Sequence, residues 1–234
     1  MRAMVFDSST LISLSTNSLL WTLPLLKQKF NGEMFITESV KNEVINVPLK
    51  SKRFKLEAMQ LLSLIADGTI KIYKSDELRL KSQRILDLIN ATYIARDHYI
   101  KIVQRAEVES LILAAMLDCA FVVDERTIRL FVEDYKSMSK IFSEKLHDEI
   151  KINEKNLGLF MKEVHKVPII RSVELMVIAY KQGIMNMYLN PNETKIINID
   201  LRRTLLDGIL WGLRLRGCSV SSNEIDEILA LNGF

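Results

Sequence analysis

Four acidic residues stand where an apolar strand or helix meets its next turn: Asp7, Glu43, Glu107 and Asp124. Asp7 ends the run Ala3-Met4-Val5-Phe6, and Asp124 ends Phe121-Val122-Val123. Glu43 falls on a short helical stretch after the second strand, and Glu107 in the first turn of the helix that leads into Phe121. In an open parallel sheet, ligands gather at the carboxyl ends of the strands. If the two Asp-ending strands are neighbours, their ends lie about 5 Å apart. Two carboxylates at that separation repel by about 3 kcal/mol at an effective dielectric of about 20. Four such groups either raise their pKa values or bind a divalent cation. Hard oxygen donors suit Mg2+ or Mn2+. The matching chemistry is attack of water on a phosphodiester, with the ion activating the water and neutralising charge on the leaving oxygen. Asp7 also has a plainer reading, which its motif taken alone favours: followed by Ser8, Ser9 and Thr10, it is an N-cap for the next helix.

The elements that must position these residues alternate along the chain. Ala3–Phe6, Met34–Ile36, Thr69–Tyr73, Phe121–Val123 and Val167–Ile170 read as short strands. Between them, helical spacing runs over Leu11–Phe30, with Pro24 marking a break. Asn31-Gly32 is a turn signal, and Thr37 or Ser39 opens a brief helix that Pro48 closes. Phe54, Ala58, Leu61, Leu62 and Ile65 mark one face of an amphipathic helix. Asp76 to Ile102 is helical with a charged exterior, and Ala106–Cys119 is a mostly apolar helix. Residues from about 131 to 164, rich in Lys and Glu, read as a helical insertion within a single domain of residues 1–234. Ser172 then caps a helix over Val173–Gln182, Gly217 stops another over Leu201–Arg216, and Ser221-Ser222-Asn223-Glu224 is a capping box. Strands alternating with helices predict an α/β fold of three layers, α/β/α, around a central parallel sheet.

Composition narrows the class. Of 234 residues, 48% are hydrophobic and 26% charged, the balance of a globular chain with a proper core. A net charge of +3 permits a nucleic-acid partner without demanding one. Two cysteines, Cys119 and Cys218, share no metal-type spacing, which points to a reduced, cytoplasmic setting. The apolar segment Leu111–Val123 is too short to span a bilayer and carries Asp118, so no membrane association is expected.

The four segments VFDSSTLI, ITESVKNEVI, AEVESLILAA and FVVDERTIR, in this order and spacing, resemble the PIN domain family. The resemblance covers Met1 to about Leu130. It resumes over Val167–Asn232, where the helices and RGCSVSSNEI look like the end of PIN proteins close to the VapC toxins. It implies a three-layer PIN-like fold and a Mg2+- or Mn2+-dependent endoribonuclease. It assigns Asp7, Glu43, Glu107 and Asp124 to the metal and catalytic site. Ser9 matches the small polar position that steadies the first carboxylate, and with Arg126 it stands on the substrate side. Expected partners are RNA, an antitoxin or other restraining protein, and a second copy in a homodimer. Where the family often has Gly before its third acid, this chain has Ala106. Glu109 is the alternative third acid. At about 100° per residue, Glu107 and Glu109 point to nearly opposite sides of their helix, so both cannot line one site.

Other residues carry weaker signals. Arg126 could touch a phosphate or be a solvated loop residue. His98, His147 and His165 have no acidic partner at ligand spacing, Cys119 reads as core, and Trp21 and Trp211 read as packing. The insertion is either a solvated face or a basic arm for RNA. A rival function is a non-catalytic RNA-binding or ribosome-assembly module on the same fold. An aspartyl-phosphate phosphatase is set aside, because Ser9 occupies the place of its second Asp.

Overall fold

A computed structural model describes residues 2–189 and 199–234. Eight strands are present among them: β1 Ala3–Phe6, β2 Glu33–Thr37, β3 Lys71–Tyr73, β4 Tyr93–Ala95, β5 His98–Tyr99, β6 Ala120–Val122, β7 Lys151–Ile152 and β8 Ile169–Ile170. Five form one all-parallel sheet in the order β3-β2-β1-β6-β8. Helices cover both faces, giving the three-layer α/β/α architecture. From β1 the chain winds outward through β2 and β3, then returns to place β6 on the other side of β1. That reversal of strand order between β1 and β6 is a topological switch point, the place where open α/β sheets bind their ligands.

Alternation of side chains explains why these strands lie in the centre. Met4 and Phe6 point to one face, with Leu11, Leu14, Val173 and Leu210. Ala3 and Val5 point to the other, with Val108, Leu111 and Ile112 of the helix Arg105–Met116. In β6 and the residue after it, Phe121 and Val123 take the second face and Val122 the first. Val5, Phe6, Phe121, Val122 and Val123 are fully buried. Burying each contributes up to about 1.5–3 kcal/mol, so the strand ends that carry Asp7 and Asp124 are rigidly held. The register pairs Phe6 with Val122, and the Asp7 N–H donates to Val122 O at 2.9 Å, so the ladder extends to the aspartate itself.

Several local expectations shift. The break in the first helical region comes at 17–21, between helices Ser8–Thr16 and Thr22–Phe30. Pro24 sits in the first turn of the second, where its missing N–H costs nothing. Thr37 caps Glu38–Lys41 as expected, through its Oγ1 and Val40 N at 3.2 Å. The helical path then passes through a π turn at Asn42–Asn46 and continues over Val47–Lys50, so Pro48 does not end it. The helix Lys55–Ala66 buries Ala58, Leu61 and Leu64, and leaves Phe54 and Leu62 exposed. Asp76 starts a helix that ends at Asn90, short of Ile102. A hairpin follows, turning at Arg96 and Asp97, both with positive φ, and β7 joins it as a small antiparallel sheet.

Helices Arg126–Glu133, Tyr135–Leu146 and Glu154–Val164 follow β6. They are not merely solvated. Phe131, Met138, Phe160 and Val164 join the second core, where the buried Tyr93 meets Phe131 edge-on at 5.4 Å. This layer covers the outer side of Arg105–Met116, which explains why Leu113 and Ala114 of that helix are also fully buried. Among the described residues, no helix is long and apolar enough to cross a membrane.

Candidate functional site

Asp7 occupies the first position after β1 with extended backbone, φ −81° and ψ 159°, and caps the helix Ser8–Thr16. Its Oδ2 accepts from Ser9 N at 2.9 Å and from Ser9 Oγ. Its Oδ1 is buried and has no hydrogen-bond partner, although the residue is only 1% exposed. An ionised carboxylate with an orphaned oxygen in the interior is costly. Burial accordingly pushes the Asp7 carboxyl up to about 6, against the lowering by Ser9 and Ser8, and the negative charge of Glu43 adds to the rise.

Ser9 fastens the two strand ends together. Its hydroxyl donates to Asp7 and accepts from the N–H groups of Asp124 at 3.1 Å and Glu125 at 3.3 Å. The Ser9 hydroxyl, given a place on the substrate side by the sequence, is thus engaged within the protein.

Asp124 lies directly beyond β6 and is fully buried. Its Oδ1 accepts from Ser172 N and its Oδ2 from Ser172 Oγ, both at 2.7 Å. Asp124 therefore holds the first turn of the helix Ser172–Lys181 from the neighbouring strand. Arg171, not Ser172, is that helix's N-cap residue, and its N–H donates to Glu174 at 2.8 Å. The Arg171 guanidinium also donates to Glu224 at 2.8 Å and to Ser219 O at 2.9 Å, tying in the last helix, Ser222–Leu231. Burial works against ionisation of Glu224, but the bonds from Ser221 and Arg171 outweigh it and bring the carboxyl down to about 2. Cys218 is buried beside Asp124, and burial together with that negative charge pushes its thiol up to about 12, so it is inert.

Glu107 is the third residue of the helix Arg105–Met116, and its Oε2 accepts from Gln104 N at 2.9 Å. Burial raises its carboxyl to about 8, the Gln104 bond offsets part of this, and the charges of Asp7, Glu125 and Glu43 add to the rise. Asp7, Glu43 and Glu107 thus share one electrostatic neighbourhood. Glu125 belongs to it too, which sequence reasoning missed. Its Oε2 accepts from Ile128 N at 2.9 Å as the cap of Arg126–Glu133. The available signal was its place immediately after a strand-ending Asp, at the same sheet edge.

Glu109 turns the other way. Arg105 Nε holds its Oε1 at 2.8 Å, in a separate cleft with Thr37, Tyr73 and Lys74. Arg126 is exposed at the start of its helix, next to Glu125.

Chemically, the site offers oxygen donors alone. Asp7 Oδ1 is an unused acceptor, and mutual repulsion of Asp7, Glu43 and Glu107 would be relieved by a cation or by protons. Both Asp124 oxygens already accept one bond each, with lone pairs to spare. Among the described residues, no group of three or more His, Cys, Asp or Glu side chains is drawn together closely enough to hold one metal ion. Compared with known proteins, the chain matches no family model, no curated protein and no solved structure.

Proposed function

We propose that this chain is a Mg2+- or Mn2+-dependent endoribonuclease of the PIN kind, with Asp7, Glu43, Glu107 and Asp124 as its acids. The observation that supports this best is Asp7: a buried carboxylate with one oxygen unpartnered, raised by burial and by the charge of Glu43, at the switch point of a parallel sheet. A hard divalent cation fits such donors. Asp7 Oδ1, Glu107, Glu43 and the remaining lone pairs of Asp124 would hold it. When bound, the ion supplies a Lewis acid that lowers the pKa of water and offsets charge on a phosphodiester.

The chain's own residues do the rest. Ser9 occupies Asp7 Oδ2 and so keeps Oδ1 free. Glu107, held at Oε2 by Gln104 and raised by burial to about 8, would carry a proton near neutral pH in the absence of a cation. Asp124, through Ser172, fixes the helix that borders the strand ends. Arg126 would take a substrate phosphate from the solvent side.

A non-catalytic RNA-binding module is the second reading. It is favoured by the absence, among the described residues, of three acids arranged around one ion, and by the capping work Asp124 already performs. The deciding experiment is cleavage of end-labelled RNA by the purified protein in Mn2+ and in EDTA, with Asp7→Asn alongside. The nuclease reading expects Mn2+-dependent cleavage that Asp7→Asn reduces at least about tenfold. No cleavage by either protein would favour the binding module, and equal cleavage by the variant would remove Asp7 from the reaction.

A further inference from the structure

Beside the acid cluster lies Lys50-Ser51-Lys52-Arg53-Phe54-Lys55, four cations around one aromatic ring. Lys50, Lys52, Arg53 and Lys55 are exposed, and none has a carboxylate partner among the described residues. Phe54 is 53% exposed and sits at φ 64°, ψ 20°. A left-handed conformation is rare for a bulky residue, and such strain gathers at ligand sites. The turn is pinned from below. Ser51 N donates to Pro48 O at 3.0 Å, Ser51 Oγ donates to Arg53 O at 2.6 Å, and Arg53 N donates to Ser51 Oγ at 3.1 Å.

A cavity of about 260 Å³ adjoins the ring, lined by Ile12, Glu43, Val47, Pro48, Phe54 and Leu61 among others. That is a little below the range of about 300–1,000 Å³ that encloses drug-sized ligands, and suits a smaller group. Glu43 is a wall of this cavity, and its negative charge also acts on Asp7. The cations also sit at the start of the helix Lys55–Ala66, the end of a helix dipole that disfavours positive charge. An apolar protein surface would not need them there. A polyanion would.

We propose that Phe54 is a stacking platform for an unpaired base of single-stranded RNA, with Lys50, Lys52, Arg53 and Lys55 taking the flanking phosphates, so that the strand enters the acid cluster past Glu43. The choice of RNA rests on the ribonuclease reading above. Stacking suits a splayed, unpaired base and is sequence-tolerant, whereas a duplex hides its base faces.

The test is fluorescence anisotropy with a fluorescein-labelled ten-residue oligouridylate in EDTA, where binding is read without cleavage. Phe54→Ala should weaken binding about tenfold or more, and Phe54→Trp should hold it near the native value. The pair Lys52→Gln and Arg53→Gln should flatten the slope of log affinity against log salt by about 1.4, roughly 0.7 for each lost phosphate contact. A blunt RNA duplex of the same length should respond to the cation pair and not to Phe54→Ala. Native affinity in Phe54→Ala with unchanged circular dichroism overturns the platform, as does failure of the native protein to bind the oligonucleotide. So does a patch that binds a polyglutamate peptide through Phe54 while RNA is indifferent to it. RNA binding that depends on Phe54 in a protein that never cleaves keeps the platform and removes the nuclease. Cleavage and binding untouched by Phe54→Ala do the reverse.

Discussion

Replacing Asp7 with Asn should make the metal-free protein more stable at neutral pH, and the gain should vanish in acid. The Asp7 carboxyl is raised by burial from 3.8 to about 6. A group whose folded pKa is raised contributes stability that is fully present below its unfolded value and is lost as pH rises through the folded one. The native protein therefore loses the Asp7 contribution between about pH 4 and pH 6. A rise of about two pH units, at about 1.4 kcal/mol for each, sets the loss at about 3 kcal/mol by pH 7.5. Asn keeps the size and still accepts the Ser9 N–H, which caps nearly as well as Asp. It carries no charge to desolvate. It also removes one of the charges that raise Glu107, which acts in the same direction. For a chain of this size, each kcal/mol moves Tm by about 2–4 °C, so the gap between variant and native protein should widen by up to about 6–12 °C from pH 4 to pH 7.5. The assay is thermal melting of both proteins in EDTA at the two pH values; groups common to both cancel in the difference. A gap that does not change with pH, or a variant less stable at pH 7.5, would mean that Asp7 acts only as a helix cap and that its burial is no strain.

The other acids separate by what holds them. Glu107→Gln should cut Mn2+-dependent cleavage at least about tenfold. Glu109→Gln should leave cleavage near native and lower stability by no more than about 1 kcal/mol, because its partner Arg105 is half-exposed; the reverse ranking would move the site to the other face of the helix. Because burial and neighbouring acids raise Glu107 to about 8, Mn2+ binding at pH 7 should release about one proton, read as a buffer-dependent enthalpy in calorimetry. Identical heats in buffers of different ionisation enthalpy would contradict this. Asp124→Ala should destabilise by about 2–4 kcal/mol, since it strands the buried N–H and hydroxyl of Ser172. A change under about 1 kcal/mol in urea titration would show that the helix Ser172–Lys181 does not depend on it.

Some of this is readable from the chain and some is not. The apolar runs ending at Asp7 and Asp124 are local signals, and the central strands form where they predict. The parallel sheet follows from the alternation of strand and helix. The pairing of β1 with β6 bridges more than 100 residues, and only packing decides it. Asp124 and Ser172 are 48 residues apart, and no local pattern announces that one holds the other. The seat of Glu109 on Arg105 is an i, i+4 pair that the helical period could have suggested. The hairpin of β4 and β5 is hidden in the sequence because Tyr93-Ile94-Ala95 is short and its turn uses Arg96 and Asp97 at positive φ, without glycine. Glu125 reads as loop in the sequence, and its effect on Glu107 is tertiary.

The divalent-cation site proposed for the acids at the β1–β6 switch point is open to direct test. The most direct measurement is the anomalous signal of manganese in crystals of the native protein soaked in MnCl2 at pH 8, where protons compete least with the ion. One strong peak is expected at coordination distance, about 2.2 Å, from Asp7 Oδ1, with Glu107 or Glu43 as a further donor. No peak at millimolar Mn2+, or a peak that does not touch Asp7, would contradict it.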